Sequence, residues 1–323
     1  MKNPFKLRPC GKDYLWGGQR LNKEFNKNID LNPLAETWEC STHPDGVSVV
    51  EGGSFDGMLL TQVLEEHPEY LGSRNENLAE LPILIKFIDA NKDLSVQVHP
   101  DDDYAFTHEN GQRGKTEMWY VLDASKRATL IYGLNFETTP DDLKKAILDG
   151  SVGKLLQKVK VQKDDVFFVP AGLIHAIGAG TMVAEIQENS NLTYRLYDYD
   201  RVDKNGNKRE LHLDKALAVA KLSPSTAPRQ PMRVLRYKPG VATELLGRCR
   251  YFEVWRMLLN SQDGILCETD DLAYKVLLCI DGCGEILYED GRIDFIKGDC
   301  VFLPADSVKM KLVGKAQLLE VRG

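Results

Sequence analysis

The chain has 323 residues, of which 43% are hydrophobic and 28% charged, with a formal net charge of −7. This is the profile of a soluble globular protein with a sizeable core, organised as about two domains at roughly 150 residues each. It excludes a helical membrane span, because no apolar run approaches the ~18 residues one needs. The lack of a basic tract leaves no electrostatic footprint for nucleic acid, so an anionic ligand would need a local basic pocket.

Cysteines stand at positions 10, 40, 249, 267, 279, 283 and 300. An odd, scattered set fits reduced thiols better than a disulfide framework. The opening MKNPFKLRPCGKDYLWGG carries prolines and charges where an export signal would have an apolar run, and the expected compartment is the cytosol.

Residues 1–57 contain short strand-like pieces, such as YLWGGQRL and ETWECSTHPDGVSVV, broken by Gly, Pro and Asn. His43, in STHPDG, reads as a solvated or hydrogen-bonded loop residue rather than a ligand. Apolar residues at helical spacing predict one or two short helices over 58–80, and the almost continuously apolar LPILIKFIDA reads as a buried strand.

That strand feeds residues 94–120, LSVQVHPDDDYAFTHENGQRGKTEMWY. Successive side chains of an extended strand point to opposite faces, so Gln97 and His99 leave the same one. The charged, glycine-containing segment after them reads as a surface loop, and TEMWYVL resumes as a strand carrying Glu117. A Gln-x-His strand followed by a Glu on the next makes a three-point chelate that needs one more ligand from downstream.

After Glu117 the pattern gives two strands joined by a polar turn, and the period then changes. Pro140 followed by two acidic residues opens a helix lined by Leu143, Ile147 and Leu148. In DDVFFVPAGLIH a strand ends at Pro170, Gly172 permits a tight turn, and His175 starts the next strand. His175 is thus the missing ligand. A polar loop, RVDKNGNKRE, precedes a helix with apolar residues at Leu213, Ala216, Leu217 and Ala220. SPSTAPRQP reads as a linker, with a domain boundary between 223 and 231. The remainder is strand-like, with turns expected at DGCG, EDG and KGD.

An internal repeat is visible in the sequence. KDDVFFVPAGLIH (163–175) aligns with KGDCVFLPADSVK (297–309), and EMWYVLDA aligns with KVLLCIDG. Glu117 then corresponds to Lys275 and His175 to Lys309, with the helical insertion making the first copy longer. Two ammonium groups in place of ligands cannot hold a divalent cation, so the second copy is expected to be metal-free. In the first copy Gln97, His99, Glu117 and His175 come from adjacent strands. Two imidazoles, a carboxylate and an amide oxygen suit zinc, with redox iron chemically possible, and an open position could polarise a substrate carbonyl.

The segments LSVQVHPDD, GKTEMWYVLD, VPAGLIHAIGAG, EIQENSNLTYRLYDYDR and RELHL, with AETWECSTHPDG and PILIKFIDA, closely resemble type I mannose-6-phosphate isomerases of the short bacterial kind. The resemblance covers nearly all of residues 1–222, and the C-terminal third is less distinctive. It implies a mainly β fold of two cupin-type (jelly-roll) β-barrels with a few helices inserted. The domains would be a catalytic 1–228 and a degenerate, metal-free 229–323. It also implies a zinc-dependent aldose–ketose isomerase acting on mannose 6-phosphate and fructose 6-phosphate. By matching position the metal residues fall on His99, Glu117 and His175, with Gln97 fourth. The catalytic arginine falls on Arg195 and an active-site lysine on Lys115.

The chemistry supports these roles. Moving a carbonyl from C1 to C2 requires a proton transfer through an enediolate whose charge must be stabilised. Arg195 could stabilise that oxygen or grip the phosphate, and Lys115 could bind phosphate or relay a proton. Glu185 and Glu188 are readable as a base or as orienters of a ligand histidine. Tyr194 and Tyr197 read as packing residues or sugar contacts. The alternative is a non-catalytic metal-containing cupin that binds sugars or regulates carbohydrate metabolism.

Overall fold

The structure, a computed structural model, describes residues 2–78, 80–202, 205–226, 230 and 234–323. The expected boundary at 228/229 and part of the linker lie outside the described residues, as do two positions of the RVDKNGNKRE loop.

In chain order the elements begin β1 (Phe5–Arg8), β2 (Cys10–Lys12), α1 (Arg20–Phe25), β3 (Glu36–Cys40), β4 (Val49–Glu51), α2 (Leu60–Glu66) and β5 (Ile83–Ala90). They continue with β6 (Val96–Val98), α3 (Asp102–His108), β7 (Glu117–Ala124), β8 (Thr129–Leu134), α4 (Pro140–Leu148), β9 (Leu156–Lys160), β10 (Val166–Val169), β11 (His175–Ile177), β12 (Thr181–Glu188), β13 (Tyr194–Tyr197) and α5 (Leu213–Val219). The C-terminal part holds β14 (Arg236–Lys238), β15 (Val241–Arg248), β16 (Glu253–Cys267), β17 (Lys275–Tyr288), β18 (Gly291–Ile296), β19 (Cys300–Leu303) and β20 (Met310–Arg322).

Two compact units result, and both are discontinuous in sequence. One comprises Met1–Lys12, Gln19–Phe87 and Pro231–Gly323, and the other Asp13–Gly18 and Ile88–Gln230. This grouping differs from a single cut at 228/229. The reason is strand pairing: β1 lies antiparallel between β19 and β4, with Phe5 opposite Phe302 and Leu7 opposite Val50. Such a long-range pairing leaves no local periodicity to read.

The first unit is dominated by the sheet β14-β15-β16-β20-β17-β19-β1-β4, with β18 paired to β17. DGCG, expected as a turn, lies inside β17. A register shift between Cys279 and Asp281, with Gly282 at φ 78°, makes it an irregularity within the strand rather than a reversal. The EDG and KGD segments do separate strands.

The second unit contains the five-stranded sheet β13-β6-β11-β8-β9 and the antiparallel run β10-β7-β12. Its core joins Val96, Val98, Ile131, Leu134, Ile174 and Leu196 to one side of the inserted helices. In α4 the Thr139 hydroxyl accepts from the Asp142 N–H, Pro140 occupies the first turn, and Leu143 and Ile147 are buried. Each fully buried leucine or isoleucine contributes about 1.5–3 kcal/mol by leaving water. The segment expected as a loop after His99 instead contains α3. Asp101 caps it by accepting from the Tyr104 N–H, and Asp102 and Asp103 fill its first turn. Its charges, which suggested a loop, are what start the helix.

The internal repeat is present in the strand pairing. Glu117 lies opposite Val169 in β7/β10, and Lys275 opposite Leu303 in β17/β19, which are the aligned positions. Val121 N–H donates to the Asp165 carbonyl, and Cys279 N–H to that of Asp299, both at 2.9 Å. The Asp165 carboxylate accepts from the Gln162 N–H at 2.9 Å, as Asp299 does from Ile296 at 2.8 Å. Asp164 and Gly298 both hold positive φ at the same step.

Candidate metal centre

The site grows from a row across the five-stranded sheet. Gln97 of β6 lies opposite His175 of β11 on one side and Arg195 of β13 on the other, and His175 lies opposite Tyr132 of β8. Directly opposed residues project from the same face, so Arg195, Gln97, His175 and Tyr132 form one line. His99 follows β6 directly. Its carbonyl accepts from the Gly172 N–H at 2.9 Å, so the turn preceding His175 is tied to the residue it must meet. Gly172 has φ 83°, and a Cβ there would lie 3.0 Å from the Val219 carbonyl oxygen, so glycine is required.

Glu117 enters as the first residue of β7, opposite Gln187 of β12, while Trp119 lies opposite Glu185. By the two-residue period Glu117 and Trp119 share a face. Trp119 Nε1–H donates to Glu185 Oε1 at 2.9 Å, and its ring meets His175 edge-on at 5.5 Å.

His99, Glu117 and His175 are buried, and one ligand atom from each lies within 4.8 Å of the others. His175 Nε2 is 3.3 Å from Glu117 Oε1, and His99 Nε2 is 3.6 Å from Glu117 Oε2. The opposite ring nitrogens settle the tautomers. His99 Nδ1 is 2.8 Å from the Leu192 carbonyl oxygen and His175 Nδ1 is 2.8 Å from that of Leu173. A carbonyl only accepts, so each Nδ1 carries the hydrogen and each Nε2 presents a lone pair toward Glu117. Burial, with Lys115 adding to it, pushes the His175 imidazole down to about 4 against the opposing Leu173 bond, so it is neutral near pH 7. Two oriented imidazoles and a carboxylate form a donor set for a divalent cation with room for further ligands. These three residues form a metal-binding site.

The other sequence-selected residues surround this set. Gln97 Nε2 is 3.4 Å from His175 Nε2, and a half-turn of the amide would bring its oxygen to that place. Lys115 is buried, with Nζ 3.0 Å from Glu117 Oε2 and 4.0 Å from Glu185 Oε2. Arg195 donates from Nε to Ser95 Oγ at 3.3 Å and from Nη1 to the Glu210 carbonyl at 2.8 Å. Asp198, three residues beyond Arg195, is bound by Arg201 and Arg209.

Other residues make defined contacts around the set. Glu185 receives the Trp119 hydrogen bond, and Glu188 accepts from the Thr116 N–H at 2.7 Å. Tyr194 is buried and donates to Glu109 at 2.7 Å, which makes it a packing residue. His43 packs edge-on to Trp38 and accepts from the Asp45 N–H, as a loop histidine does. Trp119, Tyr132 and Asp102 escaped the sequence reading. The period of β7 could have found Trp119, whereas Asp102 was hidden in an acidic run.

Comparison with known proteins agrees with this geometry. The model of the phosphomannose isomerase type I catalytic domain matches residues 4–126, and that of the mannose-6-phosphate isomerase cupin domain matches residues 242–322. Mannose-6-phosphate isomerase ManA of Bacillus subtilis (strain 168) is 39% identical over 316 residues, covering 98% of this chain and 98% of that protein. The mannose-6-phosphate isomerase of Streptococcus mutans serotype c is 37% identical over 304 residues, 94% of this chain and 93% of the other. The crystal structure of the mannose 6-phosphate isomerase from Bacillus subtilis superposes with a TM-score of 0.90 at 34% identity, covering 98% of this chain and 99% of that one. Similarity of this degree along nearly the whole of both chains, on a mainly β fold with a cupin domain, places this protein in the family of type I mannose-6-phosphate isomerases.

Proposed function

We propose that the chain interconverts mannose 6-phosphate and fructose 6-phosphate, with one zinc ion held by His99, Glu117 and His175 and with Gln97 as fourth ligand. The observation that carries this is the convergence of two imidazoles, both oriented by backbone carbonyls, on one buried carboxylate in a chain of this family. When bound, the cation supplies Lewis-acid polarisation of the sugar carbonyl.

The chain's own residues do the rest. Lys115 holds the Glu117 carboxylate from 3.0 Å and carries an ammonium to the edge of the site. Arg195, on the same sheet face as Gln97 and His175, offers a fixed positive charge to the enediolate oxygen or the phosphate. A fall in kcat on its removal assigns it to the enediolate, and a rise in KM assigns it to the phosphate. The catalytic work belongs to residues 1–228, and 229–323 is a degenerate, metal-free copy. All seven cysteines are free thiols, which supports a reducing compartment such as the cytosol.

The test is a coupled assay for fructose 6-phosphate formed from mannose 6-phosphate. Activity lost to a chelator and restored by zinc is expected. No product with metal present would overturn the isomerase assignment, and leave a binding or regulatory module.

A further inference from the structure

The run that delivers Lys115 and Glu117 is anchored in an unusual way. Its three successive backbone N–H groups go to three different acceptors. Gly114 donates to the Asp102 carboxylate at 2.9 Å, Lys115 to the Pro100 carbonyl at 2.9 Å, and Thr116 to Glu188 Oε1 at 2.7 Å. The Glu188 N–H returns a bond to the Thr116 carbonyl at 3.1 Å. At Gly114 the chain passes so close to the start of α3 that a Cβ would lie 2.4 Å from Asp102 N. Residues 114–116 are thus held between α3 and the end of β12.

Glu188 is only 1% exposed, and its carboxyl also faces that of Asp102. Two carboxyl groups can hydrogen-bond to each other only when one carries a proton. We propose that Asp102 and Glu188 share one proton and act together as the positioning device that fixes the Lys115 ammonium against Glu117 and Glu185. In this arrangement Glu188 is the protonated partner: its O–H donates to the Asp102 carboxylate, whose oxygens also accept from Gly114, while its carbonyl oxygen accepts from Thr116. Burial, and then the Asp102 charge, push the Glu188 carboxyl up to about 8, which keeps it protonated at neutral pH. The groups acting on it are Asp102 from α3 and the Thr116 N–H and hydroxyl from the run before β7, and its chain neighbours, Gln187 and Asn189, are neutral. The inference rests on the isomerase reading, in which Lys115 works at the metal centre.

The experiment compares Glu188→Gln and Glu188→Ala with the unaltered holoenzyme, measuring kcat, KM for mannose 6-phosphate, bound metal and thermal melting. The glutamine amide can accept from Thr116 and donate to Asp102, so it reproduces the protonated state. The expected result is that Glu188→Ala lowers kcat at least tenfold with metal content unchanged, while Glu188→Gln keeps half or more of it. The ratio of Glu188→Gln to unaltered kcat should rise between pH 7 and pH 9, as the natural carboxyl loses its proton. A glutamine variant as impaired as the alanine variant, a flat ratio, or an alanine variant with full kcat would each overturn the proposal. An inactive unaltered enzyme would overturn the isomerase reading instead.

Discussion

The strand pairs β7/β10 and β17/β19 share a frame and differ in chemistry at its key position. Glu117 and Lys275 both start a strand, and both lie opposite the residue preceding a Pro-Ala turn. Around Glu117 the neighbours are His99, His175 and Lys115, which surround one carboxylate with two lone-pair donors and one cation. Around Lys275 the neighbours are Glu320 at 3.6 Å and the Glu268 carbonyl at 2.6 Å, and Arg322 lies 2.7 Å from Glu320. Glu320 stands across β17 from Leu277 as Glu185 stands across β7 from Trp119. The second copy therefore satisfies its charges internally.

His175 and Lys309 complete the contrast. His175 is buried as the first residue of β11, whereas Lys309 is exposed just before β20. The frame is set by turn chemistry, namely an aspartate accepting from the N–H three residues back and a positive-φ residue before it, and it tolerates either outcome. The lesson is that the turns make the strand pair while the side chains placed on it and beside it decide whether it can serve a metal.

Four substitutions would break or sharpen this contrast. Glu117→Lys, which gives the first copy the residue of the second, places an ammonium beside Lys115 and two imidazoles. Metal analysis should show an empty centre, and turnover should fall on the order of 10³-fold, the scale of several kcal/mol of lost charge stabilisation. Retained metal would show that the carboxylate is not a ligand. Arg195→Ala should leave metal content intact while turnover drops about a hundredfold, the size of one lost electrostatic donor. Unchanged kinetics would remove it from the mechanism.

Lys275→Glu, the reverse exchange, should not create a second centre, because Lys309 and Arg322 remain, so one metal per chain is expected. It should cost about 1–3 kcal/mol by setting a new carboxylate near the buried Glu320, read as a lower midpoint in urea. A second bound metal would contradict the account. The smallest effect concerns pH. Glu188 has its pKa raised to about 8 in the folded chain, so its contribution to stability is full in acid and is lost as pH rises toward 8. Glu188→Gln should therefore melt higher than the unaltered protein at pH 8 than at pH 5, by about 2 °C more. An unchanging difference would show that the carboxyl does not titrate there.

Much of the centre was legible because strand geometry has a period of two and turns have a chemical signature. Gln97 with His99, Glu117 at a strand start, and the Pro-Ala-Gly turn before His175 could all be read in order. The inserted helix was equally plain from Pro140, the two acidic residues after it and the spacing of Leu143 and Ile147, although Leu148, expected on the same side, is exposed at the helix end. Local reading failed where one composition serves two structures. The acidic run after His99 suited both a loop and a capped helix, and the Asp101 cap decided for α3. DGCG suited both a hairpin turn and a strand irregularity, and pairing with β20 decided for the latter.

By itself the sequence pointed to His99, Glu117 and His175, to the repeat, and to the lysines at the matching positions of its second copy, since these depend on side-chain type and short spacing. Only the tertiary structure decided that β1 joins the C-terminal sheet, that the Leu192 and Leu173 carbonyls set the histidine tautomers, and that Asp102 and Glu188 meet around residues 114–116. The physical reason is that a backbone carbonyl or an edge strand is chemically the same at every position. Which one becomes a partner is fixed by long-range packing that no local pattern encodes.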